Sequence, residues 1–110
     1  MKPDDLLDFL REDVRAPIEE HADEILEAIG DDVERRRQFQ LDRLHLDQLI
    51  GKLELQQFKN IAARLKELSP GLEAGADAMN ASLKKVKGFA KAADTFASVV
   101  GLVARIVALA

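Results

Sequence analysis

The apolar residues of the last third of the chain recur at steps of three and four without a polar interruption. This spacing puts them on one face of an α-helix and excludes a strand, where apolar positions alternate. We therefore predict a helix over about residues 72–109 that buries this face. The residues of the row are Met79, Leu83, Val86, Ala90, Ala93, Ala97, Val100, Ala104 and Val107.

Two further helices are predicted upstream of this one. The first covers about residues 4–29, is kinked near Pro17, and ends at Gly30, which suits a helix C-terminus. The second covers about residues 32–68 and ends at Ser69-Pro70-Gly71, which reads as a tight turn. We expect a single helical domain over residues 1–110.

A three-residue turn between two long helices makes them antiparallel. The predicted fold is therefore all-α: an elongated antiparallel helical hairpin of two long helices, with the N-terminal helix folded back as in a three-helix, coiled-coil-like bundle. The second predicted helix is apolar on two sides, so it should lie between two partners. One side is formed by Phe39, Leu46, Ile50 and Leu53 and the other by Leu41, Leu44 and Leu55, and we expect the first helix to be the second partner.

Composition excludes several kinds of chemistry. The chain has no cysteine, which excludes disulfides, thiolate metal sites and thiol nucleophiles and favours the cytoplasm as its compartment. It has two histidines, and no nucleophile motif surrounds its serines. Asp42 and His45 have helical metal-ligand spacing, but a di-metal bundle needs the same pair on a facing helix. We predict neither an enzyme nor a bound cofactor or metal.

Charge is unevenly distributed. Residues 1–34 carry thirteen acidic and three basic side chains, and Arg35-Arg36-Arg37 follow immediately. We expect the first helix to neutralise these arginines, and we do not expect a nucleic-acid partner, because the chain is acidic overall. The acidic face of the first helix suggests one alternative function, an inhibitor or antitoxin-like protein that binds a basic partner surface. That face consists of Glu19, Glu20, Asp23 and Glu24.

The C-terminal segment 95–110 contains one charged residue, Arg105. Spanning a bilayer needs about 20 apolar residues, and about 16 to 19 are present. Two partner helices should leave part of this apolar surface uncovered. We therefore predict a non-enzymatic interaction protein that self-associates through this helix, with another protein partner, membrane-surface binding or pore formation as alternatives. The predicted interface is Phe96, Val99, Val100, Leu102, Val103, Ile106, Val107 and Leu109.

Overall fold

The computed structural model describes residues 1–55 and 61–107 of the 110-residue chain. The described residues contain helices and no strand, so the predicted all-α class is confirmed. The segments are α1 (Pro3–Phe9), a π-helical segment (Leu10–Arg15), α2 (Ala16–Glu20), α3 (Ala22–Ile29), α4 (Val33–Leu55), α5 (Ala62–Leu83), a 3₁₀ turn (Val86–Gly88) and α6 (Phe89–Val107).

The first four segments follow one another as the N-terminal helix, residues 3–29. Pro17 has no N–H to donate to the carbonyl of Asp13, four residues earlier. The side-chain amide of Asn80, on α5, donates to that carbonyl at 2.9 Å. The helix turns are wider just before the proline, in the π-helical segment, and the backbone departs from helical geometry at His21, where φ is −108° and ψ is 12°.

The corner between α3 and α4 is closed by polar contacts. Gly30 has a φ of 71°, as predicted for the residue that ends the N-terminal helix. Asp32 accepts a hydrogen bond from the backbone N–H of Arg35 at 3.2 Å and so caps α4. The guanidinium of Arg36 donates to the carbonyls of Leu26 and Gly30, at 2.7 and 3.1 Å, which satisfies oxygens at the end of α3.

The predicted bounds of the second and third helices, 32–68 and 72–109, are wrong. Ser69-Pro70-Gly71 lies inside α5 and does not form a turn. The chain reverses instead between Leu83 and Phe89. A Cβ on Gly88 would lie 2.1 Å from the carbonyl oxygen of Ser82, so only glycine fits this turn.

Glycines inside α5 let the backbone approach α6 closely. A Cβ on Gly75 would lie 2.9 Å from Cγ2 of Val99, and one on Gly71 would lie 3.5 Å from Cδ1 of Leu102. Close packing therefore requires a glycine at position 75, whereas a Cβ at position 71 would make an ordinary contact. The pairs 71 with 102 and 75 with 99 also show that α5 and α6 run antiparallel, which confirms a helical hairpin within a bundle.

The N-terminal helix and α4 pack with this hairpin in an elongated bundle with extents of 43 × 23 × 19 Å. Ion pairs of Arg11 with Glu54 and of Glu19 with Arg43 show that the N-terminal helix is antiparallel to α4. Helix α4 packs mainly on α6 and the N-terminal helix. The ring centroids of Phe39 and Phe96 lie 5.9 Å apart, edge to face, in the shared core.

Candidate functional site

The C-terminal residues predicted as an interface lie inside the chain's own core. Phe96, Val99, Val100, Val103, Ile106 and Val107 are all buried, the most accessible being 4% exposed. Leu102 is partly buried against the same core, and Leu109 lies outside the described residues. The expectation that a single copy leaves this surface uncovered is wrong for the described residues.

The misplaced turn explains this error. With a turn at residues 69–71, the predicted second and third helices would meet along one side only. In the structure, α5 turns back at Gly88 and covers α6 with its own apolar side, which includes Leu65, Leu72 and Met79. The N-terminal helix and α4 cover most of the rest. Four helical segments, each antiparallel to the one before it, therefore bury the apolar surface that three helices were expected to leave exposed.

A row of residues on α4 is apolar and exposed. Leu41 is 48%, Leu44 is 55% and Leu55 is 90% exposed, and exposed Gln48 and half-exposed Gly51 complete the row at steps of three and four. We call Leu41, Leu44, Gln48, Gly51 and Leu55 the leucine row. Among the described residues it is the row with the most large exposed apolar side chains, because the others, Val33 and Val86, lie at the start of α4 and in a turn.

The buried side of α4 lies opposite the leucine row. It carries Phe39, Leu46, Leu49, Ile50 and Leu53. Both the N-terminal helix and α6 pack on this side. The prediction that a helix packs on each apolar side of α4 is therefore wrong for Leu41, Leu44 and Leu55 among the described residues, although the prediction of two apolar sides is right.

Polar contacts fix the rotation of α4 about its axis. Arg43 forms a bidentate pair with Glu19, and its guanidinium lies 5.8 Å from the ring centroid of Phe39. Closer to the C-terminus of α4, Arg15 lies 3.5 Å from Asp47. Because these contacts hold one flank of α4 against the N-terminal helix, the leucine row faces solvent.

The leucine row has a basic side chain on one flank and acidic side chains on the other. Lys52 lies on the first flank, seven residues after His45, and Asp47 and Glu54 lie on the second. Both carboxylates lie about half exposed in pairs with arginines of the N-terminal helix. Lys52 is exposed and has no acidic partner within 4 Å among the described residues.

The structure divides the predicted acidic face. Glu19 is paired with Arg43, whereas Glu20 and Asp23 are exposed. Glu24 is exposed and lies 3.4 Å from Nδ1 of His21, an atom with no hydrogen-bond partner among the described residues. The two side chains are therefore close without forming a hydrogen bond, because the geometry between them falls short of one.

The arginine cluster at the start of α4 is compensated within the chain, but by other partners than those predicted. Arg35 pairs with Asp94 of α6 at 3.1 Å and donates to the carbonyl of Ala90 at 3.2 Å. Arg36 binds backbone carbonyls at the end of α3, as described above. Arg37 is exposed. The expectation that the first helix neutralises these arginines is wrong for Arg35, which pairs with α6, and Arg36 contacts carbonyl oxygens of the first helix rather than its carboxylates.

Asp42 is a buried carboxyl on α4. Burial raises its pKa above the usual range. Gln38 donates a hydrogen bond of 2.9 Å to the carboxyl, and this bond and the charge of His45 oppose the effect of burial only in part.

In residues 1–55 and 61–107, no group of three or more histidine or carboxylate side chains is arranged to hold a metal ion. None of the helices in this described part is long and apolar enough to cross a membrane.

The turn between α5 and α6 is basic and contains one exposed apolar side chain. Val86 is 86% exposed, and Lys84, Lys85 and Lys87 around it are exposed as well. Val86 is exposed, so the prediction that it belongs to the buried row is wrong. The glycine that follows these three lysines is the signal in the sequence that favours a turn at this position.

Comparison of the chain with protein-family models, with curated proteins and with solved structures gives no match. The surfaces described above are therefore the basis on which a function can be proposed.

Proposed function

We propose that this protein is a non-enzymatic helical interaction protein that self-associates, and that the leucine row of α4 is its interface. One observation carries the proposal: three leucines of one helix face are between 48% and 90% exposed, whereas the large apolar side chains on the opposite face of that helix are buried. Apolar stripes of this kind on a folded chain mark contact surfaces. A second copy carries the same stripe, so each could cover the other.

The site favours a contact between folded copies. The row lies on a 23-residue helix whose rotation is fixed by contacts to the N-terminal helix and α6. Preorganised interfaces need less ordering on association than flexible ones. Binding through the leucine row needs no opening of the bundle, whereas binding through the buried valines of α6 would.

The mass of the protein in solution tests the proposal. We expect light scattering to give a concentration-dependent mass above 12.2 kDa, the mass of one chain. Leu44→Glu should raise the dissociation constant at least about tenfold, since it places a carboxylate in an apolar contact. Circular dichroism should show the same helix content as the unsubstituted protein, because Leu44 is not part of the core.

A matched control distinguishes association through this interface from nonspecific association. Val86→Glu changes another exposed apolar residue, more accessible than Leu44, to the same carboxylate on a different surface. It should leave the mass unchanged. A protein that is monomeric at every concentration, or whose assembly survives Leu44→Glu but not Val86→Glu, would overturn the proposed interface.

A second candidate function is contact with an anionic membrane surface through the turn between α5 and α6. It is favoured by exposed Val86 among Lys84, Lys85 and Lys87. Flotation with vesicles containing phosphatidylserine, with and without Val86→Glu, tests it. Glu24 and Glu27 border the same surface, so we expect weak binding that salt abolishes.

A further inference from the structure

We propose that two copies pair through α4 in parallel and in register, so that each residue of the leucine row meets its own counterpart. This inference rests on the proposed self-association and adds the orientation of the partner. The row fits a heptad pattern, with Leu41, Gln48 and Leu55 at a positions and Leu44 and Gly51 at d positions. The inference follows from the residues that flank the row.

The two flanks of the row carry opposite charges. The e positions hold His45 and Lys52, and the g positions hold Asp47 and Glu54. In a parallel pair, a g residue meets the e residue five positions later on the partner, which brings Asp47 against Lys52 of the second copy. Two-fold symmetry makes this contact twice. Lys52 is available for it, having no acidic partner within 4 Å among the described residues.

An antiparallel pair would place like charges together. There, g residues face g residues and e residues face e residues. Asp47 would meet Asp47 or Glu54 of the second copy, and Lys52 would lie near His45 or Lys52. This holds for any antiparallel register that keeps the leucine row at the centre, so the charges favour the parallel orientation independently of the leucines.

The residues of the row agree with this orientation. In parallel register each of the three leucines packs on a leucine, and the two Gln48 side chains lie side by side, where each amide can donate to the other. Antiparallel registers within α4 match at most two leucine layers. A polar residue at one a position is also a device that fixes register in parallel pairs.

Cysteine cross-linking tests the orientation, and the chain contains no cysteine that would interfere. Leu41→Cys and Leu55→Cys are made as separate variants and treated with a short bismaleimide. Parallel pairing in register predicts that each variant cross-links to itself. The two positions are about 21 Å apart along the helix, so an antiparallel pair can bring at most one of them against its own counterpart. Ala78→Cys, exposed on α5, is the control for random collision.

Charge reversal at Lys52 gives a second measurement that does not depend on cysteine. In the parallel pair, Lys52→Glu puts two carboxylates together at each contact, and we expect the dissociation constant to rise about three- to tenfold at low salt. In an antiparallel pair Lys52 faces Lys52 or His45 of the second copy. The same change then exchanges one like-charged pair for another or sets a carboxylate beside the histidine, and association would stay the same or tighten. Lys91→Glu, exposed on α6, alters net charge equally and should have no effect.

The outcomes separate the two proposals. Self-cross-linking at both positions with weaker association of Lys52→Glu supports the parallel pair. Cross-linking at one position or neither, or unchanged or tighter association of Lys52→Glu, in a protein that light scattering shows to be a dimer overturns the orientation and leaves self-association standing. A protein that is monomeric throughout overturns self-association itself.

Discussion

Helix α6 has one charged residue in its last three turns and hides nearly all of its large side chains, whereas α4 is strongly charged and leaves three leucines in solvent. The apolar content of a helix alone therefore does not show whether its surface is free to bind a partner. That depends on whether other helices of the same chain cover the surface. Helix α6 is contacted by α5, α4 and the N-terminal helix, and α4 is contacted on one side only.

The largest test of this contrast is a charge placed on each helix. Val103 of α6 is fully buried, so Val103→Asp should destabilise the protein by at least about 4 kcal/mol, a large part of the stability of an ordinary domain. Loss of the cooperative thermal transition in circular dichroism would show this. Ser98→Asp on the exposed side of α6 should unfold at nearly the unsubstituted temperature. If Val103→Asp folded normally and lost only its assembly, α6 would be an interface after all.

The close approach of α5 to α6 gives a smaller effect. Gly75→Val should lower the free energy of unfolding by about 1–3 kcal/mol, because its Cβ alone would lie 2.9 Å from Val99. Chemical denaturation measures this. Gly71→Ala is the matched control: its Cβ makes an ordinary contact of 3.5 Å, and alanine favours helix, so stability should stay equal or rise. Equal effects at both positions would contradict the packing described here.

Completing the leucine row should strengthen the proposed interface. An added Cβ at Gly51 meets nothing within 4 Å, and Gly51→Leu should stabilise α4 by somewhat less than about 1 kcal/mol through helix propensity. It should also tighten self-association, seen as a lower dissociation constant in light scattering. Gly101→Leu on α6 is equally unobstructed and should raise stability without changing the mass. If both variants associated more tightly, the effect would be general hydrophobicity.

The smallest effect concerns Asp42, whose raised pKa makes its ionised form unfavourable in the folded state. The folded protein binds the proton more tightly than the unfolded chain does. The cost of ionisation is therefore complete above the folded pKa and is relieved as pH falls through it toward the ordinary value of 3.8. We expect Asp42→Asn to be more stable than the unsubstituted protein at pH 7, with the difference shrinking as pH approaches 4. Asp47→Asn, which removes an exposed carboxylate, should show no such gain.

Much of the fold could be predicted because helical periodicity and local turn chemistry are written in neighbouring residues. The apolar row of α6 and the role of Gly30 depend only on such neighbours. Gly75 and Gly88 show the limit. A glycine that makes a turn and a glycine that lets two helices touch look alike until the partner helix is known, and the turn predicted at residues 69–71 lies at Gly88 instead.

The candidate site was half predictable for the same reason. Sequence showed that Leu41, Leu44 and Leu55 form a second apolar side of α4, but which helix would cover it depended on the number of passages in the bundle. Because the chain reverses near Gly88, α5 covers α6, and no helix among the described residues covers the leucine side of α4. Exposure is a property of the whole assembly of helices, so it could not be read from α4 alone.

The packing of α4 on α6, rather than on α5, which follows it along the chain, has a consequence for the order of folding. Helices α5 and α6 are joined by a short turn and need little loop-closure entropy to meet, whereas Phe39 and Phe96 are far apart in sequence. The hairpin should therefore form early and the aromatic contact late. Truncating Phe39 should then speed unfolding more than it slows refolding.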